Sequence, residues 1–91
     1  MRFEWNLEKA KANLKNHKVS FEEAETVFED PLFIIYADPD HSVEENRFIV
    51  MGESTKNRLL VVSYTERPPV TRLISARKAT RAERKNYEEE I

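Results

Sequence analysis

Polar and apolar residues alternate at the start of the chain, so Arg2-Phe3-Glu4-Trp5 predicts a short strand with Phe3 and Trp5 on one face. Asn6 can then cap a helix that has Glu8 in its first turn. Leu7, Ala10, Leu14 and His17 recur at i, i+3, i+7 and i+10, the spacing of one helical stripe. Ser20 opens a second helix, with Glu23 at the position that completes a capping box. Its apolar face is Phe21, Ala24, Val27 and Phe28. Asp30-Pro31 ends it, because the residue before proline avoids the helical region.

Beyond that proline the pattern is that of strands. Leu32–Ala37 is short and apolar, and 38–45 (DPDHSVEE) is a polar loop. Arg47–Gly52 and Arg58–Tyr64 are rich in strand formers, with ESTKN between them to turn a hairpin. Pro68-Pro69 forces another break, and Arg72–Ala76 is a last strand. Thr80 and Glu83 form a second capping box at the start of a C-terminal helix. The order β-α-α-β-β-β-β-α predicts an α+β fold, in which two N-terminal helices pack on a four- to five-stranded, mainly antiparallel sheet with a C-terminal helix. Ninety-one residues leave room for a single domain, 1–91.

Composition narrows the class. Hydrophobic residues make up 40% and charged residues 35%, which fits a globular chain rather than a disordered one. There is no cysteine, hence no disulfide framework, as expected in a reducing cytoplasm. No apolar run approaches the roughly 20 residues of a membrane span, and the charged N-terminus lacks a signal-peptide core. A single glycine excludes Gly-rich phosphate loops.

The net charge of −2 conceals a strong segregation: residues 1–19 carry +3, 20–55 carry −9, 56–85 carry +7 and the last six −3. Such a field can draw a polyanion to one surface, or the two large blocks can neutralise each other across the fold. The last helix sharpens the question. Its large apolar residues are Tyr87 and Ile91, and its charges run against the helix dipole, with Arg81, Arg84 and Lys85 early and Glu88, Glu89 and Glu90 late. Local stability does not account for that order, whereas an anion bound near Arg77, Lys78 and Arg81 would. The alternative is pairing with the acidic 20–55 block or with an acidic protein partner.

Alternation adds candidates for chemistry. If Ile74 and Ala76 face the core, then Leu73, Ser75 and Arg77 face away. In the neighbouring run Val62, Tyr64 and Glu66 share one face and Ser63, Thr65 and Arg67 the other. The sequence leaves the register open, and a face carrying Tyr64, Glu66 and Arg77 would combine an aromatic platform, a base and a phosphate clamp. His17 closes an apolar stripe and reads as readily as a capping histidine as a catalytic one. Asp38, Asp40 and His41 are loop residues with no second His or Cys at ligand spacing, so neither a metal nor another cofactor is expected.

The stretches KANLKNHKVSFEEA (Lys11–Ala24), ENRFIVMGES (Glu45–Ser54), RLLVVSYTER (Arg58–Arg67) and RLISARKATRAERKNYE (Arg72–Glu88), together with the opening FEW, resemble the BrnT-type toxins of bacterial toxin–antitoxin pairs. The resemblance covers almost the whole chain. Lys18 stands where that family usually has glycine, and Asn6 where aspartate is common. The resemblance implies a RelE-like fold and a cytoplasmic, metal-independent ribonuclease that inhibits translation and growth. It also implies a partner antitoxin with a ribbon-helix-helix DNA-binding domain, through which alone the toxin meets operator DNA, and no membrane partner. The chemistry it implies is attack of the RNA 2′-hydroxyl on the adjacent phosphate. Glu66 or His17 would take the proton, and Arg77 and Arg67 would hold the developing charge. Arg58, Lys78 and Arg81 would grip flanking phosphates, and Tyr64 would stack on a base or donate a proton. The rival reading is a non-catalytic module that holds RNA or an acidic protein through its basic C-terminal surface.

Overall fold

The computed structural model describes residues 1–38 and 46–90. Strand and helix formers alternate along the chain as β1 (Arg2–Glu4), α1 (Leu7–His17), α2 (Phe21–Glu25) continuing as a 3-10 turn (Thr26–Glu29), β2 (Ile34–Ala37), β3 (Arg47–Glu53), β4 (Leu59–Arg67), β5 (Val70–Lys78) and α3 (Arg81–Glu89). Among the described residues the strands form one sheet in the order β1-β5-β4-β3-β2. Pairing is antiparallel except for β1, which lies parallel to β5. The sheet is therefore mainly antiparallel, as the sequence suggested, with the single parallel pair β1–β5 making it mixed. The helices divide between its faces instead of sharing one layer.

On one face, which we call the covered face, α1 and α2 close a core of Phe21, Ala24, Val27, Val50, Leu60, Val62, Tyr64, Leu73 and Ala76, with Phe3 and Trp5 packed at its margin. On the other, Tyr87 of α3 packs on Met51, Leu59 and Val61 at one end only. Its hydroxyl donates to Asp30 Oδ2 at 2.5 Å, which anchors the helix to the corner where the chain enters β2.

The caps form as expected at Asn6, Ser20 and Thr80. Three local expectations are corrected. The stripe on α1 does not face the core: Leu7 is 70% and Leu14 51% exposed, and the residue buried from that helix is Asn13. Asn13 Nδ2 donates to the carbonyls of Val19 (2.9 Å) and Ala76 (2.8 Å), and its Oδ1 accepts from the Ala76 N–H (3.0 Å). Glu23 does not close a capping box. Its carboxylate instead accepts from the Ser54 hydroxyl at 2.7 Å and from the Arg58 guanidinium. The last two strands run longer than predicted, and Pro68-Pro69, joined by a cis peptide, forms the tight turn between them. The loop predicted at 38–45 falls outside the described residues from 39 on, as does Ile91. Among the described residues no helix is long and apolar enough to cross a membrane.

One irregularity decides which face the late side chains take. From the Pro-Pro turn, Arg67 pairs with Val70, Glu66 with Thr71, Thr65 with Arg72 and Tyr64 with Leu73. Continued without interruption, that ladder would set Arg77 opposite Leu60. A bulge follows instead: Ser63 pairs with Ser75, which leaves Ile74 unpaired, and Arg77 lies opposite Val61. A one-residue slip turns every later side chain to the other face of the sheet. Leu73 and Ala76 are thus both buried in the main core, and Arg77 emerges on the side of α3.

Candidate functional site

The sheet face that α3 covers only at one end is built of cross-strand rows, set by the ladders and spaced roughly 7 Å apart along each strand. Beside α3 lies Ile34–Met51–Val61–Arg77, then Tyr36–Ile49–Ser63–Ser75. Next come Arg47–Thr65–Arg72–Glu4, and finally Arg67–Val70–Arg2. A row of hydroxyls and a phenol therefore lies between arginines on both sides.

Arg77 is the best defined of these groups. Its Nη1 and Nη2 donate to the two oxygens of Glu83 at 2.8 and 2.9 Å, a two-pronged pair that fixes the guanidinium plane. Glu83 is itself tied down, because Oε1 accepts from the Thr80 N–H (2.8 Å) and its own N–H donates to Thr80 Oγ (3.1 Å). The Arg77 hydrogen bonds are the main reason the Glu83 carboxyl is held down at about 2. Arg77 nevertheless keeps 43% of its side chain exposed, so the pair orients it without sealing it. Tyr36 lies near enough to sense both partners; burial and the Glu83 charge raise its phenol above the ordinary value, and Arg77 opposes them.

The other residues singled out from sequence do not gather round Arg77. Tyr64 is a core residue, edge-on to Phe28 at 5.1 Å and tilted against Phe48 at 5.8 Å. Burial, aided by the Glu66 charge, pushes its phenol up to about 12. It is neither a stacking platform nor near Arg77. Glu66 shares the covered face and accepts from Thr71 Oγ1 at 3.0 Å. The expected face carrying Tyr64, Glu66 and Arg77 together is therefore overturned by the bulge. His17 ends α1, in the layer on the far side of the sheet from Arg77. Arg67 does share the face of Arg77, but it lies six residues along β4 from Val61, the partner of Arg77, roughly 20 Å, so the two do not converge on one phosphate.

Arg58 is held by Glu23 and by the Lys18 carbonyl (3.0 Å), away from the open face. Its hydrogen bonds are the leading reason the buried Glu23 carboxyl stays below the usual range. Lys78 points to the side opposite Arg77 at the end of β5, and Arg81 is exposed on the first turn of α3 with no ion pair among the described residues. Among the described residues no three His, Cys, Asp or Glu side chains gather as metal ligands, and Asp40 and His41 fall outside those residues.

Sequence reasoning missed Tyr36, and it missed Ser63 as a companion of Arg77. Alternation had grouped Ser63 with Arg67 and Ser75 with Arg77. The signal lacking was the bulge that joins the two groups.

A family model described as "Ribonuclease toxin, BrnT, of type II toxin-antitoxin system" matches residues 5–83. The fold is similar to the crystal structure of the Brucella abortus ribonuclease toxin BrnT, with a TM-score of 0.70 and 18% sequence identity over 89% of this chain and 99% of that one. No curated protein matches the chain.

Proposed function

Since the chain belongs to the BrnT family of ribonuclease toxins of type II toxin–antitoxin systems, we propose that it acts as a single RelE-like toxin domain and cleaves RNA on the open sheet face around Arg77. The observation that carries this reading is the bulge, which turns Arg77 onto the same face as Ser63, Ser75 and Tyr36.

The proposed reaction needs no metal. The 2′-oxygen attacks the adjacent phosphorus, a 2′,3′-cyclic phosphate forms, and the bond to the 5′-oxygen breaks. Arg77, oriented by Glu83, stabilises the charge that builds on the phosphorane, where fixed donors contribute most. The Tyr36 phenol, kept protonated by its raised pKa, donates to the departing 5′-oxygen. Glu66 and Tyr64 lie on the covered face and His17 in the helical layer behind it, so none of them is given a role; solvent takes the 2′-proton. Arg72 and Arg67, further along the same face, lie along the path of the strand. The substrate is cytoplasmic RNA, and its cleavage stops translation and growth. The blocking partner is an antitoxin with a ribbon-helix-helix domain, through which operator DNA is reached.

Purified protein incubated with RNA in EDTA should release fragments ending in 2′,3′-cyclic phosphate. Arg77→Ala should lower the rate by about 100-fold or more, as for loss of an oxyanion donor, with the fold intact by circular dichroism. Strict dependence on Mg²⁺ would exclude the chemistry. Full activity in the variant would exclude the site.

A further inference from the structure

Away from the open face, where β4 begins and β5 ends, Asn57, Arg58, Leu59, Lys78, Ala79 and Arg84 line a hollow of about 210 Å³. Among the described residues no carboxylate lines it. Lys78 and Arg84 are exposed and form no ion pair among the described residues. Arg58 is braced from behind, with Nε and Nη2 donating to Glu23 and Nη2 also to the Lys18 carbonyl, and none of these bonds uses Nη1. Glu23 cannot fill the hollow in place of a ligand, because its side chain is only 1% exposed. Two free cations, an oriented guanidinium with an unused nitrogen and a neutral amide around one small concavity suit a tetrahedral anion with several oxygens.

We infer that this hollow is a phosphate subsite, separate from the reacting centre, that takes a phosphodiester further along the bound strand than the scissile one. The inference rests on the reading of the protein as acting on RNA. Arg77 and Lys78 are adjacent in β5 and point to opposite sides of the sheet, so one phosphate cannot meet both. A strand lying on the open face reaches the hollow by passing round the end of the sheet.

The test is fluorescence anisotropy with a 2′-O-methyl RNA oligonucleotide, which binds but cannot be cleaved by 2′-oxygen attack. Lys78→Ala with Arg84→Ala should weaken binding at low salt by about tenfold or more and flatten the log–log salt slope by roughly 0.7, the value for one single-strand phosphate contact. Lys9→Ala with Lys11→Ala removes the same charge from α1 and should leave the slope unchanged. An unaltered slope in the first variant, or equal flattening in the second, overturns the subsite, as does failure of the wild type to bind the oligonucleotide. Unchanged RNA binding with weakened binding of the antitoxin would assign the hollow to an acidic protein and overturn it as well. Cleavage of unmodified RNA is scored separately: its absence defeats the ribonuclease proposal, and the salt slope still decides the hollow.

Discussion

Asn13 shows how a single polar residue can outrank a hydrophobic stripe. Leu7 and Leu14 have the spacing of a core face, yet the helix turns them outward so that Asn13 can satisfy Ala76 on β5 and Val19 beyond the helix. Backbone groups left bare in a core cost more than leucines left in water. Nothing in the spacing of α1 marks Asn13, because its partner Ala76 is 63 residues away. Asn13→Leu should destabilise the fold by about 3 kcal/mol in urea titration, since three backbone groups lose their partner; a loss under 1 kcal/mol would show that water replaces the amide. Glu83 was legible as a cap but not as the brace of Arg77. Glu83→Gln keeps the size of the side chain and removes the charge. With Arg77 partly in solvent, the expected cost is only about 1 kcal/mol. Cleavage should fall further than stability does, because the guanidinium loses its fixed plane. Equal activity in the variant would show that Arg77 needs no brace.

At the scale of elements, the caps, the Pro-Pro turn and the strand-forming runs were readable because each is a local signal. The bulge at Ile74 was not, because it follows from how both ends of β5 pack and not from a turn residue. That one extra residue separates the sequence reading, with Arg77 beside Tyr64 and Glu66, from the observed face. The narrow apolar side of α3 was correctly read from Tyr87. What the sequence could not reveal is that Asp30, read only as a helix terminator, receives the Tyr87 hydroxyl and fixes the helix on the sheet. Tyr87→Phe leaves Asp30 bonded to the Glu53 N–H at 2.7 Å, so the loss should be modest, about 1 kcal/mol or a melting point lower by roughly 4–8 °C. Hydrogen exchange should rise in α3 and remain unchanged in β4.

Across the whole molecule, the acidic and basic blocks are not simply neutralised. Glu23 pairs with Arg58, but Arg72 pairs with Glu4 and Arg77 with Glu83, while among the described residues Glu22, Glu25 and Glu29 have no cationic partner. The consequence is a pH profile with two opposed limbs. Burial, followed by the charges of Glu22 and Glu29, raises the Glu25 carboxyl above its ordinary value. A carboxyl that binds its proton more readily when folded adds stability as pH falls through the range just above that value. Glu83, held at about 2 chiefly by Arg77, acts in the opposite sense, as do Glu23 and Asp30. At Asp30, burial pushes upward and is outweighed by hydrogen bonds from Glu53, Tyr87 and Leu32. The contribution of these three is full above the ordinary carboxylate range and is lost as pH drops toward their lowered values. Thermal melts from pH 7 downward should therefore show a slight gain as pH nears the ordinary carboxylate range, then a steep fall toward pH 2, the sum of the two kinds of carboxyl. Glu25→Gln should remove the rise and leave the fall; Glu83→Gln should make the fall shallower and leave the rise. A melting point that declines steadily from pH 7 in the wild type would mean that the unpaired glutamates are not held against one another in the folded protein.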